Sequence, residues 1–274
     1  MNARRAGIRA AALAFAAAFA LSIAATAVLL AVVSGAERGP NAAGAARRFA
    51  LSGAGLMACA SLEGLILLSV AVVAARFDGV GIADRLRLTA VAPAREAAAR
   101  AGAASAGLVG LTFAYGAIAE LSGFPTRAGS ATLGALEAAL RGAGAGTFAL
   151  AVLTLGVLPA LGEEALFRGF IQPALATSLG RWPAIAVVAA AFGLFHRDLV
   201  QGTGAFVAGL FLGWTVEHTR SLVPAIVAHA ANNFAFIVLA ALGLASGLPV
   251  TANVAALVVG TACCAGATWA LRRA

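Results

Sequence analysis

Glu163 and Glu164 stand side by side at the end of an apolar run, and Arg168 follows four residues after Glu164. His196 closes a second apolar run, Phe192-Gly-Leu-Phe-His196. His229 lies inside a third, with Asn233 four residues on, in His229-Ala-Ala-Asn-Asn233. Two carboxylates, two imidazoles and a carboxamide are the parts needed to activate water and hold an oxyanion. Two His and one Glu are also a zinc ligand set with an open position, which makes Glu163, His196 and His229 the metal candidates. On a helix, Glu164 and Arg168 share a face and can pair, while Glu163 points about 100° away. The doublet thus offers one carboxylate for structure and one for a cavity. Taken singly, each piece has an ordinary explanation. Glutamates with a downstream arginine are common helix pairs, and His and Asn serve as glue between membrane helices. HExxH, GxSxG and GxGD signatures do not occur in the chain.

The elements that must position these groups are helices in lipid. A soluble domain carries charge on about a quarter of its residues, whereas 11% of these 274 residues are charged and 62% are hydrophobic. Too few polar groups remain to cover a soluble surface, so the chain reads as a polytopic membrane protein. Apolar runs predict spans at Ala10–Val33, Ala50–Ala75, Ser105–Phe124, Thr147–Leu161, Trp182–Phe195, Gly202–Val216, Leu222–Leu244 and Val250–Leu271. The expected fold is all-α, a transmembrane helical bundle of about eight spans. The fourth, fifth and sixth runs are short, which fits helices shielded by neighbours or ending in a cavity. Glu163–Leu179 is expected as a short interfacial helix after the Glu-Glu pair, bent by Pro173. An amphipathic helix is expected after Pro93. Arg4, Arg5 and Arg9 before the first run resemble a signal-peptide start, but the run exceeds the roughly 7–15 residues of such a core, so it reads as a retained span.

The net charge of +8 comes wholly from arginine, placed between apolar runs rather than in a stripe. That excludes a nucleic-acid partner and points to the positive-inside bias. With the N-terminus inside, 13 arginines fall on the inner side and 6 on the outer. Both termini, and the Glu163-Glu164 pair, are therefore expected toward the cytoplasm, in a protein of the cell membrane. Cys59, Cys263 and Cys264 lie in apolar runs and make no metal spacing.

Glu163-Glu164-Ala-Leu-Phe-Arg168 resembles the EExxxR motif of the CPBP family, the CAAX proteases and bacteriocin-processing enzymes also called Abi. Phe192-Gly-Leu-Phe-His196 resembles its FxxxH motif, and His229-Ala-Ala-Asn-Asn233 its HxxxN motif. The resemblance covers residues 147–244 as a catalytic core, with 1–146 as variable N-terminal membrane helices and 245–274 as a C-terminal one. It implies an intramembrane metalloendopeptidase-like hydrolase that cleaves a peptide bond near the cytoplasmic membrane face. By that resemblance Glu163 activates water, and His196 holds that water or a metal ion. His229 and Asn233 complete the site and stabilise the oxyanion, with Asn232 a spare beside Asn233. Glu164 and Arg168 shape the site. Zinc is the candidate cofactor, although the same residues equally suit a metal-free, glutamate-activated water. The implied partner is a peptide or protein substrate, membrane-anchored if the likeness to prenyl proteases extends that far.

Two rival readings use other residues. Glu63 and Glu120 fall within predicted spans, and with His229 they suit a proton-coupled transporter. An inverted repeat is absent, which counts against it. The other rival is a non-catalytic, immunity-like membrane scaffold. Satisfied or interhelically bonded carboxylates are the simpler account of Glu63 and Glu120. Glu217 and His218 read as interfacial beside Arg220, and Gly209 with Gly213 as a close-packing seam.

Overall fold

A computed structural model describes residues 2–35, 41–77, 79–89, 92–124, 130–244 and 248–273. Arg38 and Arg127, counted on the outer side above, lie outside the described residues. Among those described, the chain forms eleven helices and no strand. They are α1 (Asn2–Gly35), α2 (Ala42–Ala50), α3 (Gly53–Arg76), α4 (Ile82–Arg85), α5 (Ala94–Leu121) and α6 (Ala131–Leu140). Then come α7 (Ala145–Leu179), α8 (Arg181–Phe195), α9 (Leu199–Thr219), α10 (Val223–Ala241) and α11 (Val250–Arg273). Seven are long and apolar enough to cross a bilayer: α1, α3, α5, α7, α9, α10 and α11. The eighth predicted span is α8, a shorter apolar helix of 15 residues. Large aliphatic side chains such as Leu13, Val32, Leu194 and Val250 are exposed on the outside. A helical bundle in hydrocarbon satisfies its backbone internally and can show such a surface to lipid.

Two expected boundaries change. The segment after Glu163 is not a separate interfacial helix. It continues the fourth span as one 35-residue helix, and Glu164–Ile171 within it is wholly buried. Pro173 does not end this helix, which runs on to Leu179. Neither is there a separate amphipathic helix after Pro93, because Ala94–Leu121 is a single 28-residue helix. In both cases packing on neighbours carries helical structure through a polar stretch that sequence alone marks as a break.

Contacts fix which ends share a face. Gly7 of α1 packs on Ala174 and Thr177 near the end of α7. His218 Nε2, near the end of α9, lies 3.0 Å from the Leu271 carbonyl of α11. The Leu222 amide, just before α10, donates to the Arg87 carbonyl at 2.9 Å. Arg181, Trp182, His218 and Arg272 line one recess. The starts of α1, α8 and α10 and the ends of α7, α9 and α11 therefore meet at one face, which holds both ends of the described chain.

Glycines let the motif-bearing helices approach. α8 and α9 form a hairpin whose seam includes Gly209, where an added Cβ would sit 3.1 Å from the Ala189 Cα. At Gly213 the Cβ would sit 3.1 Å from Ile185 Cγ2. The expected small-residue seam is thus the α8–α9 contact. A second close approach joins α7 to α3. A Cβ on Gly162, next to Glu163, would lie 2.1 Å from the Gly64 carbonyl oxygen. Backbone cannot yield to a clash of that depth without moving one helix. Gly162→Val is expected to destabilise the bundle by about 2 kcal/mol or more, seen as a lower Tm in detergent, while Gly102→Val, with open space around it, should leave Tm unchanged.

Candidate active site

The site is built around a locally widened turn of α7. Val152–Val157 and Glu164–Ile171 adopt π-type bonding inside the continuous helix. Such stretches fit an extra residue into a turn and shift which side chains face inward. Here Glu163 lines a cavity, while Glu164 and Arg168 are turned into the protein and are 0% exposed. The predicted division of labour within the doublet is what the side chains show.

Arg168 Nη1 donates to Glu164 Oε1 at 2.8 Å. The same oxygen lies 2.8 Å from His229 Nδ1 on α10. That oxygen already accepts from Arg168, so Nδ1 is the donor to it, and the bond fixes the ring plane of His229. The other ring nitrogen, Nε2, is then directed at Glu163 Oε2, 3.6 Å away. Arg168, Glu164, His229 and Glu163 thus form one line running from the interior to the cavity. Arg168 also lies over the Phe192 ring, 4.2 Å from its centroid. Gly209 leaves room for it, since a Cβ there would come within 3.0 Å of Nη2.

His196 follows α8 directly. Its Nδ1 lies 2.9 Å from the Phe192 carbonyl and, as the donor in that bond, leaves Nε2 as the acceptor. The Phe192 ring is nearly perpendicular to both imidazoles, with centroids 4.9 Å from His196 and 5.9 Å from His229. This gives the FxxxH spacing its reason: Phe192 supplies the carbonyl that orients His196 and a ring that contacts both imidazoles.

Glu163, His196, His229, Asn232 and Asn233 all line one cavity of about 520 Å³. Its wall follows α5 from Leu108 to Glu120, a rise of about 18 Å at 1.5 Å per residue. Leu56 of α3 and Leu133 of α6 extend it further in the same direction. The cavity therefore extends away from the face that holds the chain ends. In the orientation the arginine bias favours, this is away from the cytoplasm. The expected cytoplasmic opening and the expected cytoplasmic termini therefore exclude each other.

The other expected residues fall into place around it. Glu63 lines the cavity and pairs with Arg197 at 3.5 Å. Glu120 accepts from Asn253 Nδ2 at 2.6 Å, tying α5 to α11. Glu217 lines the recess at the face that holds the chain ends. It accepts from Arg87 Nη1 at 3.0 Å and from Gln172 Nε2 at 3.2 Å. Asn233 reaches α7, where its Nδ2 donates to the Gly156 carbonyl at 3.3 Å. Three contributors were missed. Gln172 continues the four-residue spacing of Glu164 and Arg168, a signal present in the sequence. Arg197 follows His196 at the hairpin tip. Thr112, which bonds Asn232 at 2.6 Å, sits in an apolar run and carries no signal.

A zinc ligand set is not gathered among the described residues: no three His, Cys, Asp or Glu form a group that could hold a metal ion. The bond of His229 Nδ1 to Glu164 leaves Nε2 on the cavity side, as in a ligating histidine. Glu163, His196 and His229 surround the cavity without converging as ligands.

A bundle of seven long apolar helices with a cavity sunk among them is a multispan membrane protein. Residues 145–235 match the family model described as Type II CAAX prenyl endopeptidase Rce1-like. The chain therefore carries a domain of the Rce1-like type II CAAX prenyl endopeptidase family, within CPBP, and that membership implies a peptidase. No curated protein and no solved structure matches the chain. The matched segment holds all three motifs, whereas Thr112 and Glu63 lie before it.

Removing one partner of a buried ion pair leaves the other charged and unsolvated, at a cost of about 3–5 kcal/mol. Arg168→Met should therefore lower Tm strongly, and Arg168→Met with Glu164→Gln should recover part of the loss. A single variant as stable as the parent would show that the pair is not buried.

Proposed function

We propose that the chain is an intramembrane endopeptidase in which Glu163 activates water against a peptide bond. The observation that carries this reading is the Arg168–Glu164–His229–Glu163 line ending at a cavity wall. Glu163 takes one proton from water, whose oxygen adds to the scissile carbonyl carbon. The carbonyl electron pair moves onto oxygen, where a neighbouring carboxamide stabilises it together with His229, which donates through Nε2 when both ring nitrogens carry protons. By the family resemblance that carboxamide is Asn233. The oxyanion collapses, the carbon–nitrogen bond breaks, and the proton held by Glu163 passes to the leaving nitrogen. His196 presents Nε2 as an acceptor that holds the water. Glu164 and Arg168 do not touch substrate; they fix the His229 ring.

The substrate is a peptide or protein segment that reaches the cavity within the bilayer. A proton-coupled carrier is less well supported, because Glu63 and Glu120 are both engaged, by Arg197 and by Asn253. Both termini are assigned to the cytoplasmic side on the arginine bias. Compartment-sensitive reporters fused to either end should both read cytoplasmic, and an external reading at either end would reverse the assignment.

General-base groups contribute about 10²–10⁴-fold to rate. In detergent, with a quenched fluorogenic peptide library and a farnesylated CAAX peptide as probes, Glu163→Gln should lower kcat by about 10³-fold with Tm preserved. Unchanged turnover in a folded Glu163→Gln protein would remove Glu163 from the mechanism.

A further inference from the structure

At the face that holds the chain ends, the start of α8 and the ends of α9 and α11 leave a recess between them. Arg181 and Trp182 come from α8, Trp214, Glu217 and His218 from α9, and Arg272 from α11. Its volume is about 190 Å³. Ordinary small-molecule pockets hold roughly 300–1,000 Å³, so this one suits a compact polar group rather than a whole metabolite. None of these residues lines the cavity that holds Glu163.

The recess is electropositive. Among the described residues neither Arg181 nor Arg272 has a carboxylate partner. Arg181 rests on the Trp182 ring, 4.9 Å from its centroid. The one carboxylate of the lining, Glu217, is already met by Arg87 at 3.0 Å and by Gln172 at 3.2 Å. Arg181, Arg272 and Arg87 against Glu217 leave two positive charges in excess. His218 is held in place, because its Nε2 donates to the Leu271 carbonyl at 3.0 Å and its ring stacks on Trp214 with centroids 5.2 Å apart. α8 starts here with no side-chain cap, so the positive end of its dipole adds to the field.

The surroundings decide which anion this field suits. Trp182 is exposed, and indoles favour the level of the lipid headgroups. Further along, the same helices carry exposed aliphatic side chains, Val187 and Leu194 on α8 and Val258 and Val259 on α11. A ligand here meets paired guanidiniums at its head and hydrocarbon beside it. We propose that the recess binds the phosphodiester headgroup of an anionic glycerophospholipid, held by charge-assisted hydrogen bonds from Arg181 and Arg272. Basic pockets between membrane helices hold such headgroups. The assignment stands apart from the endopeptidase reading. The competing account is that both arginines only snorkel into the headgroup layer as part of the charge bias. That account makes any two exposed arginines of this face equivalent, whereas a built recess does not.

The test uses the full chain in detergent. Native mass spectrometry gives the Kd of dioleoyl phosphatidylglycerol, of dioleoyl phosphatidylcholine and of soluble glycerophosphoglycerol, and each is also scored by its effect on Tm. Phosphatidylglycerol is expected to bind most tightly and to raise Tm, with the soluble headgroup far weaker. Arg181→Gln with Arg272→Gln should weaken phosphatidylglycerol by about 30-fold, the worth of two basic groups at an anionic surface. Arg5→Gln with Arg9→Gln removes two exposed arginines at the start of α1, on the same face and outside the recess, and should leave that Kd at the parental value. If the recess double variant does not fold, each single variant decides, with a loss of about fivefold expected.

Parental affinity in a folded recess variant overturns the assignment. So do equal affinities for the two lipids, or equal losses in the two double variants. A soluble headgroup that binds as tightly as the lipid overturns it too, and makes the recess a site for a free phosphodiester.

Discussion

A guanidinium, a carboxylate and an imidazole lie in line at the centre of this bundle. Arg168 and Glu164 are fully buried, and the oxygen they share is also the partner of His229. Isolated charges are not tolerated in such surroundings, so each needs the others in place. Burying a salt bridge does little for net stability compared with packed aliphatic groups. What it supplies is one orientation. Glu164 is rigid because Arg168 holds it, and the His229 ring is rigid because Glu164 holds it. Glu163, the next residue along, is left as the carboxylate turned to the cavity.

The rest of the architecture follows from keeping that line intact. The π-type turn lets neighbouring glutamates face different environments. Gly162 brings α7 close to α3, and Gly209 leaves space beside the Arg168 guanidinium. Phe192 touches three participants, stacking on Arg168 and meeting both imidazoles nearly perpendicularly. The α8–α9 hairpin has its tip at His196-Arg197-Asp198. Asp198 caps α9 through the Gln201 amide and accepts from Ser130 at 3.1 Å. Arg197 reaches Glu63 on α3. The tip that carries His196 is thereby tied to two other parts of the bundle.

The cavity is also a product of helices outside the matched family segment. α3 and α5 furnish much of its wall, including Glu63, Thr112 and Tyr115. Tyr115 donates to the Thr203 hydroxyl on α9 at 2.6 Å. The part of the sequence that identifies the family is thus not the whole of the site. The helices before it shape the space that a substrate would enter and set the direction from which it is reached.

Composition was enough to establish a helical membrane protein, because a chain with 11% charge cannot cover a soluble surface. The Glu164–Arg168 pair was legible as well, since side chains four apart on a helix must meet. So were the three motifs, because each is local. Three things were settled only by packing. The first is the continuity of α7 through Glu163–Leu179, where burial of Glu164–Gln172 overrides the polar residues that mark a helix end. The second is the contact of Glu164 with His229, 65 residues away in sequence. The third is the partner of each asparagine, Thr112 for Asn232 and Gly156 for Asn233. Spacing placed both beside His229, but the hydroxyl of Thr112 and the carbonyl of Gly156 come from other helices, and only their positions in space decide which group each amide meets.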